Sequence, residues 1–368
     1  MRLPKESEAE KLILRALELG VNYFDTAYLY PGNEELLGRI IARNGIRDRM
    51  LLATKLPHGK CRAPGDAERL FATSLKRLQT DHVEYYLIHN VTEHAQWQRL
   101  CELGIRDWIA KAKAAGRIGA IGFSFHGTRP EFMKMLEAYD WDFCQIQYNY
   151  ANENYQAGRA GLEAAAARGI PVVIMEPLLG GKLVGGLPKA AQKALRAARP
   201  DRSFAHWGLS WLWNQPGVTC VLSGMNAMEQ LEDNAACASA VLPGSLPPAD
   251  TAALEAARDA FAKAFRVPCT GCNYCMPCPV GISIPSSFTA YNESYTFGWF
   301  TGIMGHMMSA GAAGENPHLL ANCIGCGACK AKCPQHIDIP VQLQRVRKRL
   351  EPGIAIPVVR AYGKLSNR

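Results

Sequence analysis

The stretch that decides the fold is Asn22-Tyr23-Phe24-Asp25-Thr26-Ala27-Tyr28-Leu29-Tyr30, a short apolar run that ends in a carboxylate and is followed by a phenol. Read as a β-strand, it places Asp25 at its carboxyl end and Tyr30 in the loop beyond. Two later strand-like runs end in the same way, one with Lys55 and the next with His89. In a βα-barrel the carboxyl ends of the strands share one face, where barrel enzymes carry their chemistry. We therefore expect these four side chains to lie together, although a strand-end aspartate alone would also fit a helix cap.

Helix-length and strand-length segments alternate along residues 7–240, which is typical of a parallel sheet and, with this many units, of a closed barrel. The predicted helices are 7–19, 33–44, 66–79, 97–115, 130–139, 156–168, helices near 189–213, and 227–240. The predicted strands are one ending at Asp25, then 50–56, 85–90, 118–124, 143–149, 171–177 and 219–224. An eight-stranded barrel needs one strand more than these seven, and Met1–Pro4 resembles its end. We expect the natural start to lie further upstream, rather than a barrel left open or completed by a partner, since an unpaired edge would expose backbone groups.

The residues Asp25-Thr-Ala-x-x-Tyr30, Lys55 and His89 match the catalytic tetrad of the aldo-keto reductases in identity, order and spacing. Over residues 1–240 the chain resembles the branch of that family that carries a ferredoxin-like extension. The resemblance implies an α/β fold, a (β/α)8 TIM barrel with its first strand apparently truncated, followed by a C-terminal α-helical ferredoxin-like domain. The expected domains are the barrel (1–245), a linker helix (246–266), a two-cluster domain (267–340) and a basic tail (341–368).

The resemblance assigns a role to each member of the tetrad. Tyr30 is the general acid, and its free pKa of about 10 requires a neighbour that stabilises the phenolate. The Lys55 ammonium meets this need, Asp25 keeps that ammonium charged and in place, and His89 orients the substrate carbonyl. Two alternatives remain: a structural ion pair beside a core histidine, and a Schiff-base lysine at Lys55, which Asp25 disfavours because such a lysine must lose its proton.

No G-x-G-x-x-G follows any predicted strand, so the chain lacks a Rossmann dinucleotide motif. The resemblance instead implies a nicotinamide cofactor, NADPH or NADH, across the barrel mouth. Its implied contacts are Ser124 and Gln145 to the carboxamide, Met175 and Glu176 beside the ring, Gly180 and Gly181 over the pyrophosphate, and Ser223, Asn226, Asp233 and Asn234 around the adenosine. Phe125 replaces the usual asparagine, with His126 beside it. Gly224 and Gln230 replace the lysine and arginine of NADP-specific members, which leaves the coenzyme preference open.

Eight of the thirteen cysteines form two tight runs, Cys269-x-x-Cys272-x-x-Cys275-x-x-Cys278-Pro and Cys323-x-x-Cys326-x-x-Cys329-x-x-x-Cys333-Pro. The second run has the bacterial ferredoxin spacing, in which the fourth cysteine ligates the other [4Fe–4S] cluster. We assign one cluster to Cys269, Cys272, Cys275 and Cys333, and the other to Cys323, Cys326, Cys329 and Cys278. The first run is one residue short before its last cysteine. Zinc is the alternative, but structural zinc sites usually gather two widely separated pairs of cysteines.

Composition narrows the function classes. The chain has 368 residues, 48% hydrophobic and 20% charged, and a formal charge of +8. Two oxidised clusters would reduce that charge to roughly +4, and the remainder lies mostly in the tail, where a solvated helix face fits better than a docking patch for an acidic partner. We expect no nucleic-acid partner, no signal peptide and no membrane span, and clustered thiolates favour a reducing compartment, the cytoplasm.

Between the cysteine runs lie about forty residues rich in aromatic side chains, Met and Gly, which favour a helical module in which the aromatic residues pack as a core. The sequence thus predicts an oxidoreductase that interconverts a small carbonyl compound and an alcohol, with clusters that pass single electrons or brace the fold. The alternative is an electron-transfer protein whose clusters dock a redox partner while the barrel is catalytically idle. No signature identifies the substrate.

Overall fold

A parallel β-sheet forms the centre of the first part of the chain. The computed structural model describes residues 5–269, 271, 275–312, 317–333, 336–353 and 357. Within them, seven strands pair in sequence order, each parallel to the next. The strands are β1 Tyr23–Asp25, β2 Leu51–Leu56, β3 Val83–Val91, β4 Ile118–Phe125, β5 Phe143–Gln147, β6 Val172–Met175 and β7 Cys220–Val221. The predicted parallel sheet of seven strands is therefore confirmed.

The sheet curls around its inner face. Ala53, Leu87, Phe143 and Val173, from four different strands, form one buried apolar cluster. Tyr23 of β1 and Cys220 of β7 both pack against it, although these strands stand at opposite ends of the pairing order. Such a cluster requires the sheet to bend until its two outermost strands approach each other. The predicted eighth strand falls on Met1–Pro4, which lie outside the described residues.

Helices separate the strands along the chain. Those of the described residues up to Ala240 are α1 Glu6–Glu18, α2 Asn33–Asn44, α3 Asp66–Leu78, α4 His94–Glu102, α5 Ile105–Ala114, α6 Arg129–Glu137, α7 Gly158–Ala167, α8 Lys182–Gly185, α9 Lys189–Ala198, α10 Phe204–Trp213 and α11 Met228–Ala240. Short 3-10 turns cover Arg47–Arg49, His58–Lys60 and Leu179–Gly181. Helices α2 and α3 pack backbone against backbone, because a Cβ on Gly38 would lie 2.2 Å from the carbonyl oxygen of Arg77.

Two predicted elements differ from the structure. The single helix predicted over 97–115 is two helices, since Gly104 adopts a left-handed φ of +80° between α4 and α5. The strand predicted over 219–224 ends at Val221. Beyond it the chain turns toward α11, where Ser223 accepts a hydrogen bond from Asn234 and Asn226 N–H donates to Gln230. These side-chain hydrogen bonds satisfy polar groups of the segment after Val221 without hydrogen bonds to a neighbouring strand.

The chain divides into two compact units. The first holds residues up to Asn149, Gln156–Gly180 and Ala205–Leu246, and the second holds Tyr150–Tyr155, Gly181–Phe204 and the residues from Pro247 onward. The further helices of the described residues are α12 Pro248–Ala264, α13 Ile284–Thr296, α14 Trp299–Ser309, α15 Ala328–Ala331 and α16 Ile339–Leu350, with a 3-10 turn at Leu320–Asn322.

The second unit has its own apolar core, to which α13, α14 and α16 contribute side chains such as Phe288, Met307 and Leu343. The predicted helical character between the cysteine runs is seen in α13 and α14. In the described part of the chain, no helix combines the length and the apolarity that a bilayer crossing requires.

Candidate functional site

A buried ion pair lies where β1 and β2 end. Lys55 Nζ is 2.5 Å from Asp25 Oδ1 and 2.7 Å from the carbonyl oxygen of Thr26, and the lysine side chain is 1% exposed. Burial lowers the pKa of Lys55 and raises the pKa of Asp25, while the contact between the two groups opposes both shifts. Each charge therefore depends on the other. The second oxygen of Asp25 is buried and makes no hydrogen bond within the described residues.

The phenol and the imidazole of the predicted tetrad lie against this pair. The Lys55 ammonium is 5.4 Å from the centre of the Tyr30 ring, and that ring meets the His89 ring edge-on at 5.8 Å. The structure thus brings all four predicted residues together. Tyr30 remains 43% exposed, so its phenol is accessible to a small molecule.

The protonation of Tyr30 differs from expectation. We expected a neighbouring ammonium to make the phenol more acidic, but partial burial, followed by the charges of Asp25 and Glu176, raises the pKa of Tyr30 to about 12. Among the described residues, the phenol makes no hydrogen bond with Lys55, whose donors point to Asp25 and Thr26. A phenol with this pKa is protonated at neutral pH, which is the form needed to donate a proton.

Sequence reasoning missed the residues that fix the Tyr30 loop. Glu34 is buried, and its carboxylate accepts hydrogen bonds from Thr54 at 2.6 Å and from Arg77 at 3.1 Å. The Arg77 guanidinium also donates to the carbonyl oxygen of Tyr28 at 3.3 Å and lies 4.5 Å from the centre of that ring. Glu34 and Arg77 therefore fasten the segment between Asp25 and Tyr30 to β2. The helical spacing predicted α2 and α3, but no pattern indicated that these two charges meet.

Two further histidines lie close to His89. Burial first, and then the charge of Lys55 and the proximity of His126 and His58, lowers the pKa of His89 to about 3. Burial also lowers the pKa of His126 to about 4 and the pKa of His58. All three imidazoles are therefore neutral at neutral pH, so each can both donate and accept a hydrogen bond.

The residues proposed by resemblance for the nicotinamide carboxamide are neighbours. Ser124 on β4 and Gln145 on β5 are register partners, and both are buried. Ser124 Oγ accepts a hydrogen bond from Asn90 N–H at 2.8 Å, whereas Gln145 Oε1 is buried and makes no hydrogen bond within the described residues. A buried amide oxygen without a donor fits a ligand that supplies one. Phe125 packs against the Phe132 ring at 5.2 Å and is fully buried, so it offers nothing polar here.

The other residues predicted to hold the cofactor follow β6 and β7. Met175 ends β6 and is buried, and the exposed Glu176 after it has a φ of +53°. Gly180 and Gly181 have left-handed φ values of +64° and +87°, and a Cβ on either would meet open space. The remaining residues lie between β7 and α11 or in α11: Ser223, Asn226, Asp233 and Asn234. The structure joins Asn234 to Ser223 through a hydrogen bond of 3.0 Å.

Cysteines from both runs line one pocket in the second unit. Five of them share it, together with Lys332: Cys275, Cys278, Cys323, Cys326 and Cys329. Burial, with Cys326 and Cys323 nearby, raises the pKa of Cys329. Four of the five are the predicted ligands of the second cluster, and the donor set of closely grouped thiols fits iron–sulfur ligation.

The other predicted ligands are distributed differently. Cys269 and Cys333 pack half-buried against the core of the second unit, and Cys272 lies outside the described residues. Within the part of the chain that the structure covers, no three His, Cys, Asp or Glu side chains are arranged to hold a single metal ion.

The site around Tyr30 and the cysteine pocket are features of an oxidoreductase built on a parallel βα sheet. Comparison with known families identifies the family. The family described as "Aldo/keto reductase family" matches residues 3–246, and the "4Fe-4S dicluster domain" matches residues 268–337. The chain belongs to the aldo/keto reductase family and carries a C-terminal 4Fe-4S dicluster domain. The family resemblance predicted from the tetrad and the cysteine runs is confirmed.

Individual relatives match about two thirds of the chain. The uncharacterized oxidoreductase YrpG of Bacillus subtilis is 27% identical over 270 residues, 62% of this chain and 81% of the relative. L-glyceraldehyde 3-phosphate reductase of Escherichia coli is 28% identical over 275 residues, 62% of this chain and 78% of the relative. Among solved structures, an aldo-keto reductase from Klebsiella pneumoniae in complex with NADPH has a TM-score of 0.57 and 25% identity, covering 68% of this chain and 84% of that one.

Proposed function

We propose that the protein interconverts a small carbonyl compound and the corresponding alcohol, with Tyr30 as the general acid and base. The observation that carries this proposal is the contact of a protonated, accessible phenol with a buried Lys55–Asp25 pair and a neutral imidazole. In reduction, the Tyr30 hydroxyl gives its proton to the carbonyl oxygen, and the nearby ammonium favours the phenolate that remains. In oxidation, the phenolate takes the proton back.

The remaining members of the site hold these groups in place. Asp25 keeps Lys55 charged despite its burial, and the Thr26 carbonyl oxygen orients the ammonium. His89 is neutral, so it can donate a hydrogen bond to the carbonyl oxygen without carrying a charge to the site. Glu34 and Arg77 fix the loop that carries Tyr30, as the contacts with Thr54 and Tyr28 indicate.

The redox cofactor we propose is a nicotinamide nucleotide, NADPH or NADH, which would supply or accept the hydride. The amide oxygen of Gln145 lies beside Ser124 and makes no hydrogen bond within the described residues, which supports a carboxamide there. The Klebsiella pneumoniae neighbour is described in complex with NADPH, and the Escherichia coli relative is named as a reductase of an aldehyde phosphate. We propose Met175, Glu176, Gly180, Gly181 and the residues of the β7–α11 region as further contacts.

We propose that the curled sheet is the larger part of an eight-stranded (β/α)8 barrel and that the cysteine-bearing domain is ferredoxin-like. It would hold two [4Fe–4S] clusters with the ligand sets assigned above. When bound, the clusters would exchange single electrons or brace the fold. The cysteine pocket supports the second set, and a cytoplasmic location would keep such thiolates reduced.

Calorimetric titration of anaerobic, cluster-replete protein with NADPH and NADH tests the cofactor. Replacing Tyr30 by Phe tests the acid, since it removes the proton donor and keeps the ring. We expect the variant to bind the nucleotide normally but to lose carbonyl reduction by at least about 100-fold. Tyr28→Phe is the matched control, because Tyr28 meets Arg77 through its ring and its backbone oxygen. Normal turnover by Tyr30→Phe would remove Tyr30 from the mechanism, and no binding of either nucleotide would favour the electron-transfer alternative.

A further inference from the structure

A short segment of the second unit is anchored on helix α13. Lys182 Nζ lies 3.1 Å from Glu293 Oε2 and 5.3 Å from the centre of the Phe297 ring. The two charged side chains are 30% and 16% exposed. The pair is thus partly shielded from water, where an ion pair is screened less than at an open surface.

The backbone of this segment also lies against Phe297, the residue that follows α13. A Cβ on Gly186 would be 2.6 Å from Cδ1 of Phe297, so a larger residue at this position would require the ring or the backbone to move. Leu183, between the two contacts, is fully buried. Residues 182–186 are therefore held by a charge, by a ring and by apolar packing.

The residue before Glu293 holds the start of the first cysteine run. Asn292 is buried, and its side-chain amide accepts a hydrogen bond from Val267 N–H at 3.0 Å and donates one to Val267 O at 2.8 Å. The same Val267 oxygen accepts from Cys269 N–H at 2.8 Å. Two consecutive residues of α13 therefore contact the segment that begins at Lys182 and the segment that leads into the cysteines.

Directly before Lys182 stands the glycine pair that we propose to contact the nucleotide. Both glycines have left-handed φ values, and a Cβ added to either would meet no atom of the described residues within 4 Å. Because glycine leaves the backbone free to adopt many conformations, the contacts of the adjoining residues, Lys182 among them, contribute to fixing this turn.

We propose that the contact between Lys182 and Glu293 positions the Gly180–Gly181 turn for nucleotide binding. Helix α13, which lies between the two cysteine runs in the sequence, thereby sets the affinity for the nicotinamide nucleotide. This rests on the proposed function. Without the anchor, binding must order the turn and the following residues at its own cost in free energy, which weakens the affinity. Because such coupling is reciprocal, bound nucleotide must stabilise the cysteine-bearing segment by the same factor.

The test measures the dissociation constant of NADPH and of NADH by calorimetry on anaerobic, cluster-replete protein. Lys182→Ala and Glu293→Ala are each expected to weaken binding about five- to tenfold. The charge-reversed double variant Lys182→Glu with Glu293→Lys is expected to recover most of it. Gly186→Ala, which displaces the same segment without changing a charge, is expected to weaken binding similarly. Lys189→Ala is the control, since Lys189 is exposed and lies just beyond the segment, at the start of α9.

Two further measurements test the contact between Lys182 and Glu293 without measuring the affinity for the nucleotide. Hydrogen exchange of residues 181–204 is expected to be faster in Glu293→Ala than in the parent protein. Saturating nucleotide is expected to slow the loss of the absorbance near 400 nm when a chelator is added, and this protection is expected to shrink in Glu293→Ala.

Three results would overturn the inference. Weaker binding in Lys182→Ala but not in Glu293→Ala would mean that Lys182 contacts the nucleotide directly. Normal binding and normal exchange in all the variants would mean that the contact with α13 has no consequence. Failure of the parent protein to bind either nucleotide would overturn the proposed function together with this consequence, a result distinct from the first two.

Discussion

Replacement of Lys55 by methionine removes one charge of a buried pair and leaves the other without a partner. Lys55 is 1% exposed, and Asp25 already has one carboxylate oxygen that makes no hydrogen bond within the described residues. Methionine is similar in volume and unbranched, so the packing changes little. The variant therefore isolates the electrostatic contribution of the ammonium to the stability of the fold.

The magnitude follows from the contact distance. Opposite charges at 2.5 Å attract by about 7 kcal/mol at an effective dielectric constant of about 20. Desolvation costs several kcal/mol for each ion, and loss of one partner leaves the cost of the other uncompensated. We expect Lys55→Met to lower the free energy of unfolding by about 3–5 kcal/mol. Adding Asp25→Asn removes the remaining charge and is expected to restore at least half of the loss.

Denaturation followed by tryptophan fluorescence is a suitable assay, because every tryptophan except Trp299 lies within residues 97–213, in the first unit. Lys60→Met is the control, since Lys60 is exposed and is expected to leave the unfolding free energy unchanged. A loss below about 1 kcal/mol in Lys55→Met, or a double variant no more stable than the single one, would refute the electrostatic argument.

Three further predictions concern other parts of the molecule. The pKa of His89 is lowered from 6.5 to about 3 in the folded protein. The unfolded chain therefore binds a proton at this side chain at a higher pH than the folded chain does, and the free energy of unfolding falls as the pH drops below about 6.5. By pH 5 the free energy of unfolding is lower by about 1–2 kcal/mol. His89→Gln is expected to remove that pH dependence in denaturation series, and an unchanged slope would contradict it. Gly38→Ala places a Cβ 2.2 Å from Arg77 O and is expected to lower the free energy of unfolding by about 1–3 kcal/mol or more. Gly305→Ala is the control, because its Cβ would lie 3.7 Å from the nearest atom, and it is expected to be tolerated. Equal losses of stability in the two variants would refute the packing argument. Cys326→Ala is expected to halve the iron and sulfide content, from about eight to about four of each, while Cys101→Ala leaves it unchanged; full iron in Cys326→Ala would exclude Cys326 as a ligand.

Features that depend on neighbouring residues were predicted better than features that depend on residues distant in the sequence. Strand and helix positions were predicted largely correctly, because the periodicity of apolar residues depends only on nearby positions. The largest errors, the undivided helix at Gly104 and the overlong strand after Val221, arose where a left-handed glycine or side-chain hydrogen bonds ended an element. The acidity of Tyr30 was predicted in the wrong direction, since the degree of burial and the position of Glu176 are not readable from spacing.

By itself, the sequence determined the family, the alternation of the parallel sheet and the identity of the tetrad and the cysteine runs, because residue types at fixed spacings carry that information. Only the tertiary structure decided which distant side chains outside these motifs meet. Glu34 reaches Arg77 across 43 residues, and Lys182 reaches Glu293 across 111. Such contacts depend on how separate helices pack, and helix packing brings together residues that have no local pattern in common.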